Sequence, residues 1–372
     1  MRGFALFGVL LAYTLWNLGG PPEETYSQAD RILNSVLSAL IDGKFYTLFA
    51  CLFGLGFAIQ LKRAADRGVS IVPVYCRRLL ALLLIGLAHA LLLRNGDILV
   101  PYAVLGFCLL PLRNVSNQSL LAVAVLSLLY PDVARGVWQL TGLPLPQRPA
   151  ETAGLSYLAE NYAWVRYWYA SAVFSWPDAL PLFLFGLYIG RRDVLENIAA
   201  DRRGLWRALM AGLVIAALAY VGRDLLIKAW SNGPNTPYLF GERGALRFLW
   251  TVHAWGLAAF YASSLLLLCQ RSAGRRWLAP LGAVGRMSLT NYLLQAVLVV
   301  PVCIAFDLFD RVTPSLGILL GLAVWSVQVP MSVWWLRHFR FGPAEWIWRS
   351  LTYGHPQPMR VADEPANEAV GP

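Results

Sequence analysis

The segment GLAHALLLRNGDILVPY, residues 86–102, sets an imidazole and a carboxylate eight residues apart in apolar surroundings. Histidine titrates near neutrality, so it can take a proton from a hydroxyl or amine or carry an acyl group. A nearby aspartate can fix the tautomer and orientation of its ring. Asn95-Gly96 is a turn dipeptide, which predicts one helix ending near Arg94 and the next starting at Asp97. His89 then lies about 7 Å inside the first helix end at 1.5 Å per residue. Asp97 stands at a helix N-terminus, where free N–H groups and the dipole favour a carboxylate. Asp97 thus reads first as a cap. His89 is either a base or a buried hydrogen-bond partner, and a capping aspartate can also orient it.

Other ionisable groups fall at the same expected depth. Lys44 begins one apolar run, and Arg247 and His253 enter another from the same side. Depth alone groups Lys44, His89, Asp97, Arg247 and His253 around one outward-facing cavity. A second polar set, GRMSLTNYLLQ, holds Arg286, Asn291 and Gln295, with Gln328 on the next run. Asn291 and Gln295 share a face at i,i+4, and hydrogen bonding between helices accounts for them. The five cysteines are scattered singly, and no pair has metal-ligand spacing or suggests a disulfide framework.

These residues need elements to hold them, and the composition decides which. The chain is 58 % hydrophobic and 14 % charged, with a mean hydropathy of +0.53. A hydrocarbon core of ~30 Å is crossed by about 20 apolar residues, and several runs approach that length. Ten spans are expected, at 3–19, 45–61, 78–94, 97–112, 118–134, 167–190, 205–223, 247–270, 286–306 and 315–336. Without period-2 alternation, such runs form helices rather than a barrel. The expected fold is all-α, a polytopic transmembrane bundle, with residues 1–354 as a single domain and 355–372 as a disordered cytoplasmic tail. Residues 30–42 suggest an interfacial helix before the second span, and about 342–354 another after the last. Arg2 and its apolar run are read as a retained helix rather than a cleaved leader.

With both termini inside, 20 of the 31 basic residues fall on cytoplasmic segments. The net charge of +10 is then a topology signal. Nucleic-acid binding would want a soluble basic face with aromatics for bases, and no such face occurs. The loop around 135–166 carries YLAENYAWVRYWY, whose Trp and Tyr density marks a membrane–water boundary and, as a weaker reading, a sugar-binding wall. Membrane lipids are the evident partners; nothing fixes the oligomeric state.

GKFYTLFACLFGLGFA, RRLLALLLIGLAHALLLRNGDIL, GRMSLTNYLLQ and FRFGPAEWIWRSLTYG, in this order, resemble the signature segments of the YeiB-like family of bacterial inner-membrane proteins. The resemblance runs from residue 2 to about 354. It implies the positions Arg2, Lys44, His89, Asp97, Arg286, Asn291, Gln295, Glu345 and Trp346 as the matched set; His253 lies outside it. The family usually has an aspartate and a hydrophobic residue before Arg2-Gly3, which points to a start upstream of Met1. Tyr13 stands where the family usually has asparagine and where related acyltransferases have a functional histidine.

That remote similarity to glycan-modifying membrane acyltransferases implies an acyl group moved from a cytoplasmic thioester, acyl-CoA as co-substrate, to an envelope glycan. His89 would be the base or acyl carrier and Asp97 its orienting partner, with Arg286 and the inner basic loops holding donor phosphates. The alternatives are a permease in which His89 and Asp97 relay protons or bind cargo, and a structural membrane protein whose polar residues only join helices.

Overall fold

The computed structural model describes residues 1–94, 96–149, 156–192, 201–230 and 242–360, and among these no strand occurs. The helices are α1 (Arg2–Trp16), α2 (Gln28–Leu40), α3 (Lys44–Asp66), α4 (Val72–Leu92), α5 (Leu99–Cys108), α6 (Asn117–Leu140), α7 (Tyr157–Ala170), α8 (Ala172–Ser175) and α9 (Leu180–Arg191). They continue with α10 (Arg202–Trp230), α11 (Glu242–Cys269), α12 (Ser272–Arg286), α13 (Ser288–Ala305), α14 (Pro314–His338) and α15 (Pro343–Tyr353).

Among the described residues, eight stretches are long and apolar enough to cross a membrane, and α1 and α5 are shorter apolar helices. The chain is a multi-pass membrane protein. One of the eight, Gln28–Asp66, is divided by a turn at Gly43, whose φ of +78° only glycine adopts freely. The piece before that turn is α2, the amphipathic helix expected at 30–42. Its Ile32, Val36 and Leu40 are exposed, as an interfacial helix requires.

Three expected spans differ. The run 3–19 holds the fifteen-residue α1, shorter than a full span. The run 167–190 is broken at Ser171 and by a 3-10 turn over Trp176–Ala179, where Pro177 and Pro181 cannot donate to the preceding turn. The run 97–112 contains only the ten residues of α5, about 15 Å of helix, half of what a bilayer needs.

The start of α1 and the helix α15 meet at one end of the bundle, where Gly3 packs on Leu281 and Gly285 and Arg2 lies beside Glu345 and Arg349. This arginine-rich end also carries Arg78 at the start of α4. The opposite end carries the last turn of α1, the start of α3 and the end of α4. In the core, α3 and α9 approach so closely that a Cβ on Gly54 would lie 1.9 Å from the Phe183 carbonyl oxygen, the small-residue contact typical of membrane helices. The rings of Phe53, Tyr102 and Phe183 pack mutually there at 4.6–5.5 Å.

The C-terminal helix is α15, and Arg340 N–H donates to the Met359 carbonyl 2.9 Å away. Residues 361–372 of the expected tail lie outside the described residues.

Candidate functional site

The short α5 explains how Asp97 reaches the interior. After α4 ends, the chain turns back into the bundle instead of crossing its surface. A Cβ on Gly86 would meet Asp97 Oδ2, Leu99 Cβ and Val100 Cγ2, each at 2.9 Å. Asp97 therefore sits level with Gly86, about 9 Å inside the end of α4. Non-helical backbone of this kind is tolerated at membrane depth where protein surrounds it. Gly86 supplies the space, and the half-helix α5 starts inside the bundle with Asp97 at its head.

The Asp97 carboxylate is saturated with donors. Val100 N–H donates to Oδ2 at 2.8 Å, which caps the first turn of α5. His89 Nδ1 lies 2.9 Å from Oδ1, and the Tyr292 hydroxyl donates to the same oxygen at 3.1 Å. Tyr292 in turn accepts the Ile98 N–H at 3.2 Å, and its ring packs on His89 with centroids 5.1 Å apart. The side chains of His89 and Asp97 are 3 % and 2 % exposed.

A carboxylate at Nδ1 assigns the imidazole proton to that nitrogen and leaves a lone pair on Nε2. Nε2 is buried and has no hydrogen-bond partner. A buried polar atom without a partner is costly, and here it is the atom a base would use. The pair is thus oriented like a catalytic histidine with its positioning acid.

Two cavities flank this layer. At the arginine-rich end a cleft of about 80 Å³ is lined by Arg2, Arg78 and Ser288 at its polar mouth and by Leu82, Tyr102 and Tyr292 further in. Arg78 stacks on Trp348, with its guanidinium carbon 3.9 Å from the ring centroid, and the Trp348 indole donates to the Arg78 carbonyl at 2.8 Å. At the far end a larger cavity of about 390 Å³ is lined by Tyr13, Arg94, Tyr157, Asn161, Trp164 and others. The two are separate, and the Tyr292–Asp97–His89 layer lies between them.

The remaining candidates do not join His89. Lys44 and His253 cap α2, whose last carbonyls have no partner within the helix. Lys44 Nζ donates to Ser38 O at 2.9 Å, His253 Nε2 lies 2.9 Å from Ala39 O, and Tyr261 donates to Leu40 O at 2.8 Å. Cations suit that end of a helix dipole, and Lys44 also sits 3.7 Å from the Trp250 ring centroid. Arg247 ties α11 to Asp132 on α6, at 2.6 Å, and to Asp178, at 3.0 Å. These contacts are with α2, Trp250 and the two aspartates, not with His89 or Asp97.

The second polar set divides as well. Arg286 is exposed and reaches only the Arg340 carbonyl, at 3.5 Å; Arg2 and Arg78 line the cleft in its place. Asn291 donates to Ser332 at 2.8 Å, Gln328 donates to Asn291 O at 2.7 Å, and Gln295 faces Leu6 O at 3.5 Å. These amides join α13 to α14 and α1, as hydrogen bonding between helices predicts. Glu345 does not pair with Arg349 along its own helix. It accepts Leu289 N–H at 2.6 Å, Thr290 N–H at 3.2 Å and the Thr290 hydroxyl at 2.5 Å, capping α13 from α15. Burial lifts its carboxyl above the ordinary range against these bonds.

Tyr292, Gly86 and Arg94 are members of the site that the sequence reading passed over. Tyr292 stood in plain view between Asn291 and Gln295, and a hydroxyl at that depth is itself a signal.

This architecture defines a class: a multi-pass helical membrane protein with an ionisable triad at the buried head of a half-helix. A family model described as "Protein of unknown function (DUF418)" matches residues 189–355. The chain is 32 % identical to the uncharacterized protein YxaH of Bacillus subtilis (strain 168), over 96 % of this chain and 94 % of that one. It is 27 % identical to the uncharacterized protein YeiB of Escherichia coli (strain K12), over 95 % and 94 % of the two chains. The chain belongs to this YeiB-like, DUF418 family. No solved structure matches it.

Proposed function

We propose that the chain is an acyltransferase of the bacterial inner membrane, moving an acyl group from a cytoplasmic thioester to a hydroxyl or amine of an envelope glycan. The observation that carries the reading is the unpartnered, buried Nε2 of His89 beside Asp97 at the head of α5. The excess of basic residues at the arginine-rich end orients that end to the cytoplasm. Acyl-CoA enters there as co-substrate, with Arg2 and Arg78 at the mouth of the cleft placed to meet its phosphates.

The acceptor's oxygen or nitrogen bonds to the thioester carbonyl carbon while its proton passes to His89 Nε2. The C–S bond then breaks, and the leaving thiolate takes that proton. Asp97 balances the imidazolium through Nδ1–H, and such a positioned base contributes about 10²–10⁴-fold. Because Tyr292 stands between cleft and imidazole, its ring must swing aside for the acyl carbon to arrive.

The same separation favours a second reading. A half-helix with its head between two separate cavities suits a permease that opens alternately, with His89 and Asp97 binding cargo or protons. Proteoliposomes decide between them. With acyl-CoA on the arginine-rich side and a glycan acceptor on the other, the enzyme yields acylated acceptor. A permease yields unmodified solute moved across the membrane, and that result would overturn the proposal.

A further inference from the structure

We infer that the far-end cavity is a binding site for an anionic saccharide, whose carboxylate or phosphate sits on Arg94 and whose ring lies on the aromatic wall. Arg94 follows α4 directly, and its N–H bonds the His89 carbonyl at 2.9 Å. Its guanidinium lies 3.6 Å from the Tyr13 ring centroid. It makes no ion pair among the described residues, although it lies below the surface. An arginine held on a ring with its fork of donors unengaged is suited to a planar carboxylate or a phosphate.

Two further atoms in the same cavity lack partners. Tyr13 is 3 % exposed and Asn161 is 2 % exposed. The Tyr13 hydroxyl and Asn161 Oδ1 are buried without a hydrogen bond. The Asn161 amide nitrogen is occupied, donating to Ala90 O at 2.8 Å and Leu91 O at 3.2 Å, so its oxygen remains to accept a ligand hydroxyl. The Tyr157 hydroxyl is likewise spent on the Leu93 carbonyl, which turns its ring towards Phe309, stacked at 5.4 Å. Trp164 and Trp168 complete an aromatic wall on which the C–H face of a pyranose can lie.

Glu160 and Asp310 line the cavity too, so bulk charge does not select an anion. Selection comes from Arg94, five residues and about 7 Å along the chain from His89. His89 does not itself line this cavity, but an anion on Arg94 is held beside the end of the helix that carries His89. In that respect the inference deepens the acyltransferase reading, and binding itself needs no donor.

The test is binding to the full-length protein in nanodiscs without acyl-CoA, read by calorimetry. The probes are glucuronate, glucose 6-phosphate, glucose and inorganic phosphate. Glucuronate or glucose 6-phosphate should bind at least tenfold more tightly than glucose and than phosphate alone, and the stronger of the two identifies the anion. Arg94→Gln should erase the preference over glucose. Tyr13→Phe, which removes only the unpartnered hydroxyl, should weaken both charged sugars severalfold in a protein that still folds. Equal binding of glucose and both charged sugars would overturn the inference, as would phosphate binding as well as either sugar, or Arg94→Gln keeping the preference. If the protein acylates a neutral acceptor and binds no charged sugar, the inference fails while the acyltransferase reading stands.

Discussion

Gly86→Ala tests the re-entrant geometry most sharply. The added methyl would start 2.9 Å from Asp97 Oδ2, Leu99 Cβ and Val100 Cγ2, whereas carbon contacts settle at about 3.5–4.0 Å. The carboxylate can rotate away, but Leu99 Cβ is fixed to the backbone of α5. The head of the half-helix must then retreat by roughly 0.6–1.1 Å, the gap between those figures. Overpacking of this kind costs about 1–3 kcal/mol, and a displacement near 1 Å at a reacting group costs about 10²-fold in rate. Thermal unfolding in detergent and acyl transfer in proteoliposomes give the two readouts. Gly282→Ala in α12 is the control: its Cβ would meet nothing within 4 Å, so it should gain about 0.5–1 kcal/mol of helix stability. If Gly86→Ala is as stable and active as the parent, the close approach of residues 97–100 to α4 is wrong.

Other substitutions separate capping, packing and chemistry. Asp97→Asn should keep the Val100 cap and lose stability by only about 1 kcal/mol, while activity falls because an amide balances the imidazolium poorly; unfolding midpoints beside turnover check this. Arg247→Ala leaves Asp132 with Arg135, 3.9 Å away, and takes the close cation from Asp178. It should cost at most about 3 kcal/mol, the low end for buried pairs, since Asp178 is 42 % exposed; its turnover per folded molecule should not change. Glu345 has a folded-state pKa raised above its ordinary 4.5, so folding takes up a proton. The linked stability is full below 4.5 and is lost as pH rises through the raised value. Thermal midpoints taken upward from pH 4.5 should therefore slope less in Glu345→Gln.

What the sequence disclosed follows from how local each contact is. His89 and Asp97 are joined across one turn, so spacing and a turn dipeptide were enough to pair them. The half-helix was not legible, because residues 97–112 are continuously apolar and only the space over Gly86 decides that the chain dives inward there. Lys44, Arg247 and His253 lie towards the same end of the bundle as His89, but depth does not name neighbours. Their partners are the carbonyls that end α2 and two aspartates on other helices. Tyr292 meets Asp97 across 195 residues of chain, a distance no periodicity encodes. Ten runs share one apolar signal, but among the described residues eight stretches are long enough to cross, and α1 and α5 are shorter. A hydropathy signal does not say where helix begins and ends inside an apolar run.

The central claim is that His89 Nε2 accepts the acceptor's proton, and His89→Gln tests it directly. Glutamine can keep a hydrogen bond to Asp97, so the fold is retained, but it cannot take up the proton. The measurement is acylated acceptor formed per folded molecule in proteoliposomes, with thermal stability taken on the same preparation. The account predicts a protein of near-parental stability whose acyl transfer is lost by about 10²-fold or more. A His89→Gln protein that acylates at the parental rate would contradict it.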